Sequence, residues 1–246
     1  TEIRIIKGVD SQFMDEKQLS LRLEKASNYV PNNSKLADIG SDHAYLPCAL
    51  VYQKKIQFAV AGEVVEGPFL TAKEQVKRLG FQAIIDVRLG NGLAVIDLAD
   101  QITAITICGM GGTLIASILD DGFHAGKLTG GERLILQPNI GEENVRRWLM
   151  NHDYQIIAEE LLEEDAKLYE IIVAEKSIVQ PSYSQSELKF GLELKENYPD
   201  LFIKKWQRQL EKEYTILASL EAATSDQKEK IALFKTKIAE IEELIQ

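Results

Sequence analysis

Residues 36–47 read Leu-Ala-Asp-Ile-Gly-Ser-Asp-His-Ala-Tyr-Leu-Pro, and they carry the densest chemistry in the chain. A short apolar run containing Asp38 breaks at Gly40 and resumes as a helical pattern from Ala44. That is the strand, tight turn and helix that open a nucleotide-binding α/β domain. The turn departs from the dinucleotide pattern G-x-G-x-x-G, because Asp42 stands where the second glycine belongs. A carboxylate there repels a pyrophosphate and blocks close backbone approach. It suits a cationic ligand without phosphates, such as S-adenosylmethionine with its sulfonium and amino groups. Methyl transfer is therefore favoured over hydride transfer.

Further candidates stand where other strands should end, since ligands in open α/β sheets lie beyond the carboxyl ends of the strands. Glu63, followed by Val64, is placed for a bidentate hold on ribose hydroxyls; the alternative is an exposed acid at a helix start. Gly90-Asn91-Gly92 offers a loop whose backbone and amide could read an adenine edge, or an ordinary turn. Gly109-Met110-Gly111-Gly112 admits another molecule close to the backbone, and its alternative is a helix start that needs small residues for packing. Gln137 and Asn139 carry two amides that could pair with a base edge. Asp42 and His43 are candidates for the reacting centre, with helix capping as the alternative for both.

The elements that must position these residues follow from the apolar pattern. A first helix is expected from about Glu16 to Tyr29, a span that contains Arg22. Strands read at 35–39, 57–62, 83–88, 102–107 and 132–136, with helices near 44–53, 66–79, 112–120 and 141–151. Two late strands, 154–159 and 168–174, have no long helix between them. The runs are mostly continuous rather than alternating, as expected for a parallel sheet covered on both faces. The predicted architecture is a Rossmann-like class I methyltransferase sheet whose last strand inserts antiparallel, within a domain spanning residues 14–176. Residues 177–186 read as a linker. The remainder, to residue 246, reads as a helical coiled-coil hairpin, with Ile231, Phe234, Ile238, Ile241 and Ile245 at heptad spacing. Lys204, Lys205, Arg208 and Lys212 fall within about a 100° arc on such a helix. They form a basic stripe suited to phosphate.

Composition sets the outer bounds. The chain has 246 residues, 45% of them hydrophobic, and a net charge of −10, which argues against nonspecific coating of nucleic acid. The acidity is uneven: residues 1–175 hold 17 Lys and Arg against 26 Asp and Glu, and residues 176–246 hold 11 against 12. A polyanion can still be met by local basic patches. Cys48 and Cys108 each fall inside an expected buried element, which points to a reducing cytoplasm. With three scattered histidines, His43, His124 and His152, no metal site is expected. No apolar run approaches the ~20 residues of a membrane span, and no secretory signal is visible. Residues 1–13 show little periodicity and read as a loose arm or a start-site artefact.

Five motifs occur in one order, each at an expected strand end: Asp-Ile-Gly-Ser-Asp-His-Ala-Tyr-Leu-Pro, Ala-Gly-Glu-Val-Val-Glu-Gly-Pro, Gly-Asn-Gly-Leu, Gly-Met-Gly-Gly-Thr-Leu-Ile and Leu-Gln-Pro-Asn. With them the chain, from Leu19 to its end, closely resembles the bacterial tRNA adenine-N1 methyltransferases that modify adenine 22. The resemblance implies S-adenosylmethionine as cofactor, tRNA as partner and a monomer or weak dimer in the cytoplasm. It places the cofactor at Asp38, Gly40, Ser41, Glu63, Val64, Gly90, Asn91, Gly92 and Gly109. Methyl transfer falls to Asp42, His43, Met110 and Asn139. Arg22, Gly111, Gln137 and the basic stripe are left to hold tRNA. No Asn-Pro-Pro-Tyr motif is present, which agrees with a ring nitrogen rather than an exocyclic amine as target. Cys108 stands where alanine is more usual. Two rival readings are a catalytically silent RNA-binding protein and an NAD-dependent oxidoreductase.

Overall fold

The computed structural model describes residues 19–223 and 227–246, so the expected helix start near Glu16 lies outside the described residues. Five strands are parallel neighbours: β1 (Ser34–Ile39), β2 (Ile56–Glu63), β3 (Ile85–Leu89), β4 (Ala104–Gly111) and β5 (Arg133–Ile140). With β6 (Tyr154–Glu164) and β7 (Lys167–Lys176) they form one sheet in the order β3-β2-β1-β4-β5-β7-β6. β7 inserts antiparallel beside β5. Ala37, Ile39, Ile105, Ile107, Leu134 and Leu136 are buried along consecutive strands, because helices rather than water cover the sheet. Helices α1 (Leu21–Asn28), α2 (Tyr45–Tyr52), α3 (Glu66–Arg78), α4 (Gly112–His124) and α5 (Glu142–Asn151) complete this part.

The chain divides into two compact units, one comprising residues up to Glu160 with Tyr169–Leu192, the other Leu161–Leu168 with Glu193–Gln246. The first also contains α6 (Gln185–Phe190). Its Arg146 is fully buried and pairs with Glu159 at 2.6 Å and Glu170 at 2.5 Å. Burial opposes the guanidinium charge, and the two carboxylates more than compensate. The second unit holds the tip of the β6–β7 hairpin, where Asp165 and Ala166 both have positive φ, as a two-residue turn matching the strand twist requires. It also holds α7 (Leu194–Asn197), α8 (Pro199–Glu221) and α9 (Lys228–Ile245). Lys235 pairs with Glu221, Tyr214 with Glu242, and Lys195 with the Leu244 carbonyl, so α8 and α9 run antiparallel.

Two local departures from the sequence reading matter for the site. β4 runs on to Gly111, past the expected end at residue 107, because Cys108 and Met110 keep their pairing with Gln137 and Pro138 while Gly109 bulges out between them. The start of α4 is also pressed onto the turn after β5. A Cβ on Gly112 would lie 2.0 Å from the Gly141 carbonyl oxygen, and Asn144 Nδ2 donates to Thr113 Oγ1 at 3.0 Å. Gly112→Ala must therefore push backbone against backbone. It is expected to cost about 1–3 kcal/mol, read as a lower urea midpoint at unchanged slope; an unmoved midpoint would remove this contact from the account.

Candidate active site

Asp38 lies near the end of β1, 4% exposed, with its carboxylate turned into the protein. Ser41 Oγ donates to Oδ2 at 2.5 Å and Thr106 Oγ1, from β4, donates to Oδ1 at 2.6 Å. Burial pushes this carboxyl above the ordinary carboxylate range, and the two hydroxyls pull it part of the way back. The expected cofactor ligands Asp38 and Ser41 thus face each other. Their hydrogen bond fixes the turn after β1.

Gly40 takes φ +69°, a conformation that favours glycine, and the β4 methionine lies across it, its Cε 2.2 Å from where a Cβ would sit. Asp42, His43 and Ala44 follow with φ of 41°, 63° and 58°. Such a left-handed run is uncommon for residues with side chains. Ala44, not Asp42 or His43, occupies the cap position of α2, and no side-chain cap bond forms; the capping alternative for those two residues is therefore removed. The run delivers the Asp42 N–H to Glu63 Oε1 at 2.5 Å. The Asp42 carboxylate is left outward, 81% exposed, with His43 Nε2 at 3.3 Å.

Glu63 closes β2 and is buried, so it is not the exposed helix-start acid of the alternative reading. Burial raises its pKa, and the Asp42 amide lowers it part of the way. Val64 next to it is exposed. After β3, the Gly90 amide donates to the Glu63 carbonyl at 2.8 Å. A Cβ on Gly90 would meet Val95 at 2.8 Å, and one on Gly92 would meet Ile118 at 3.0 Å. The two glycines let the loop pack, and Asn91 between them is exposed.

The glycines at the end of β4 and the start of α4 divide by role. Gly112 answers the packing alternative; Gly111 has open space around it; Gly109 has φ +76°, with Arg22 Nη1 3.0 Å from where its Cβ would be. Gln137 is fully buried and bonded to Arg22, Gly109, Pro138 and Asn139. It is corrected from a base-pairing amide to an internal one. Asn139 is exposed and donates to the Gly109 carbonyl at 2.8 Å. Burial raises the Cys108 thiol well above its ordinary range, as befits a packing residue. The internal bonds of Ser41, Thr106 and Gln137 are features that sequence reasoning missed. The polar Thr106 inside the apolar run 104–107 was the one available signal.

In the helical unit, Lys204 and Arg208 both pair with Glu163, at 2.5 and 3.1 Å. Lys205 Nζ lies 5.4 Å from the Trp206 ring centroid, and Lys212 is exposed. The expected stripe is thus partly neutralised from the β6–β7 tip. Among the described residues, no group of three or more His, Cys, Asp or Glu could hold a metal, and no helix is long and apolar enough to cross a membrane.

Comparison with known proteins adds to this geometry. The family model described as tRNA (adenine(22)-N(1))-methyltransferase matches residues 36–243. The tRNA (adenine(22)-N(1))-methyltransferase of Bacillus subtilis is 43% identical over 238 residues, covering 94% of this chain and 99% of that protein. A Streptococcus pneumoniae structure in complex with S-adenosyl-L-methionine is 44% identical with TM-score 0.84, covering 93% of this chain and 100% of that one. M. capricolum TrmK, in complex with S-adenosyl-homocysteine, is 27% identical with TM-score 0.79, covering 92% and 97%.

The buried carboxylate yields a pH-dependent expectation. Thr106→Val leaves one oxygen of Asp38 without a donor, which is expected to cost about 1–3 kcal/mol at neutral pH. The loss raises the folded-state pKa further. The deficit should therefore shrink as pH falls through that raised value, where Asp38 is protonated. Denaturant titrations at several pH values check this; a deficit that grows on acidification contradicts it.

Proposed function

Because the chain belongs to the tRNA (adenine(22)-N(1))-methyltransferase family, we propose that the carboxyl ends of β1, β2, β4 and β5 perform its methyl transfer to N1 of adenine 22 in tRNA. One observation carries the assignment of roles: Asp42 N–H on Glu63 and Met110 across Gly40 draw three strand ends into one locus. The donor set fits S-adenosylmethionine. Glu63 keeps oxygen lone pairs beyond the Asp42 bond for ribose hydroxyls, and Asp42 gives the turn the negative charge that a sulfonium and an ammonium favour. When bound, this cofactor supplies an electrophilic methyl group.

The chain's own residues then have mainly to place and shield. Adenine N1 has an in-plane lone pair, so no proton need be removed before attack, and the barrier falls through alignment and exclusion of water. Gly40, Ser41, Asp42 and Glu63 hold the cofactor side, with Val64 and the Gly90-Asn91-Gly92 loop flanking it. Gly111, with open space around it, allows the base close to the backbone. Met110 packs between the two sides. Asp42 faces the positive charge that arrives on the adenine ring, and His43 beside it contacts base or cofactor. The target must leave its stack, since pairing hides the N1 edge. Arg22 and the stripe of Lys204, Lys205, Arg208 and Lys212 hold phosphates. A tRNA substrate supports work in the cytoplasm.

Two outcomes are expected. Glu63→Ala should weaken S-adenosylmethionine binding by about 2–4 kcal/mol in calorimetry, from charge-assisted hydrogen bonds of roughly 1.5–3 each with partial replacement by water; equal affinity would end the ribose assignment. Changing the four stripe residues to glutamine should flatten the salt dependence of tRNA binding. Each lost phosphate contact is worth on the order of one unit of slope. Because Glu163 holds two of the four cations, the slope should change by fewer than four units. An unaltered slope would leave the stripe a solvated face.

A further inference from the structure

The amide network between β4 and β5 has a fixed polarity. Gln137 Oε1 accepts from the Gly109 N–H at 3.0 Å and from Arg22 Nη1 at 3.1 Å. Its Nε2 donates to the Pro138 carbonyl at 3.0 Å and to Asn139 Oδ1 at 3.2 Å. A backbone N–H can only donate and a carbonyl can only accept, so the backbone alone dictates which end of Gln137 is oxygen. All four of its hydrogen-bonding positions are then filled, and nothing remains for a substrate.

That orientation propagates outward. The Asn139 atom facing Gln137 Nε2 must be the acceptor Oδ1, and Nδ2 must point to the Gly109 carbonyl, to which it donates at 2.8 Å. Rotating the Asn139 amide would set nitrogen against nitrogen and oxygen against oxygen. Gln137 is wholly buried, whereas Asn139 and Gly109 are exposed. The network therefore ends at the surface in an oxygen that has used one of its two acceptor positions. That oxygen stands beside the bulge whose next residue, Met110, lies across Gly40.

We propose that Asn139 Oδ1 is the group that recognises adenine, accepting a hydrogen bond from its 6-amino group, and that Gln137 is the positioning residue that fixes this polarity. The inference rests on the acceptor site described above and adds its specificity. Next to N1, adenine carries a donor at C6; guanine and hypoxanthine carry an oxo acceptor there and a hydrogen on N1. A fixed acceptor welcomes the first and repels the others, and a misplaced polar pairing in a dry site is penalised heavily. Were the amide free to flip, either edge would be accommodated and the discrimination lost.

The test compares tRNA carrying adenosine at position 22 with tRNA carrying purine riboside there, which keeps the N1 lone pair and lacks the 6-amino group. Intrinsic differences in N1 reactivity cancel when the ratio of kcat/KM values is compared between enzymes. Asn139→Ala should lower kcat/KM for the adenosine substrate about tenfold, the worth of one hydrogen bond, and leave the purine substrate nearly unchanged. Gln137→Ala should compress the ratio in the same way with S-adenosylmethionine affinity intact, a pattern that mere loss of structure does not give. Asn139 is exposed, so its variant keeps the test decisive if the Gln137 variant fails to fold. An equal loss on both substrates overturns recognition of the amine while leaving Asn139 in the acceptor site. No change on either substrate removes Asn139 from that site altogether.

Discussion

A carboxylate withdrawn from water between the two central strands governs the geometry of this site. A buried, unpaired Asp38 would be costly, and the fold meets that cost with two hydroxyls from different places: Ser41 in the turn just after β1 and Thr106 in β4. Satisfying one side chain therefore fixes the turn onto the neighbouring strand. Residues 40–44 have little choice of path once Ser41 is held down. Their left-handed run carries the next amide across to Glu63 on β2. Three strand ends are coupled through two carboxylates, one inside and one at the rim.

The other half of the site is built from neutral groups. β4 keeps its pairing with β5 past the bulge because both backbone groups of Gly109 are taken up by side-chain amides, the N–H by Gln137 and the carbonyl by Asn139. The contrast suits the reaction. Acceptor carboxylates suit a cation and hydroxyls on the proposed cofactor side. Amides with a set polarity suit the neutral purine edge proposed on the other, where a fixed negative charge would attract any donor without telling one base from another.

Much of this was legible in the sequence because it depended on short-range pattern. The parallel strands, their helices and the antiparallel last strand follow from apolar runs and breakers. Glu63 was identifiable as a strand-end acid from register alone. The residues that changed role did so through partners far along the chain. Asp38 was legible as a strand-end acid, but not the hydroxyl of Thr106, 68 residues on, that donates to one of its oxygens. Gln137 looked like a base-pairing amide until the bulge, 28 residues earlier, proved to need it. The Lys204 and Arg208 stripe was read correctly as one helix face, but Glu163 sits on a hairpin 41 and 45 residues upstream. The three clustered glycines also looked equivalent in sequence. Only tertiary contacts distinguish Gly112, which must be small to pack on the turn after β5, from Gly109, whose positive φ makes the bulge against Arg22, and Gly111, which has open space.

The chemistry explains where conformational strain is concentrated. Transfer of a methyl group to a nitrogen that already offers its lone pair asks for no general base. The scarcity of histidine fits this: His124 and His152 lie with Asp120 and Phe123 around α4 and α5, and only His43 stands at the locus. What the reaction asks for is alignment. A left-handed conformation costs roughly 1–2 kcal/mol for each residue with a side chain, and three such residues in succession are sustained only if their surroundings over-determine them. Ser41 anchored on Asp38 before the run, the Asp42 amide on Glu63 within it and buried Ala44 at its end do so. The strained turn and the saturated amide network are thus two solutions to one demand, a site whose polar groups are held by the protein before any substrate arrives.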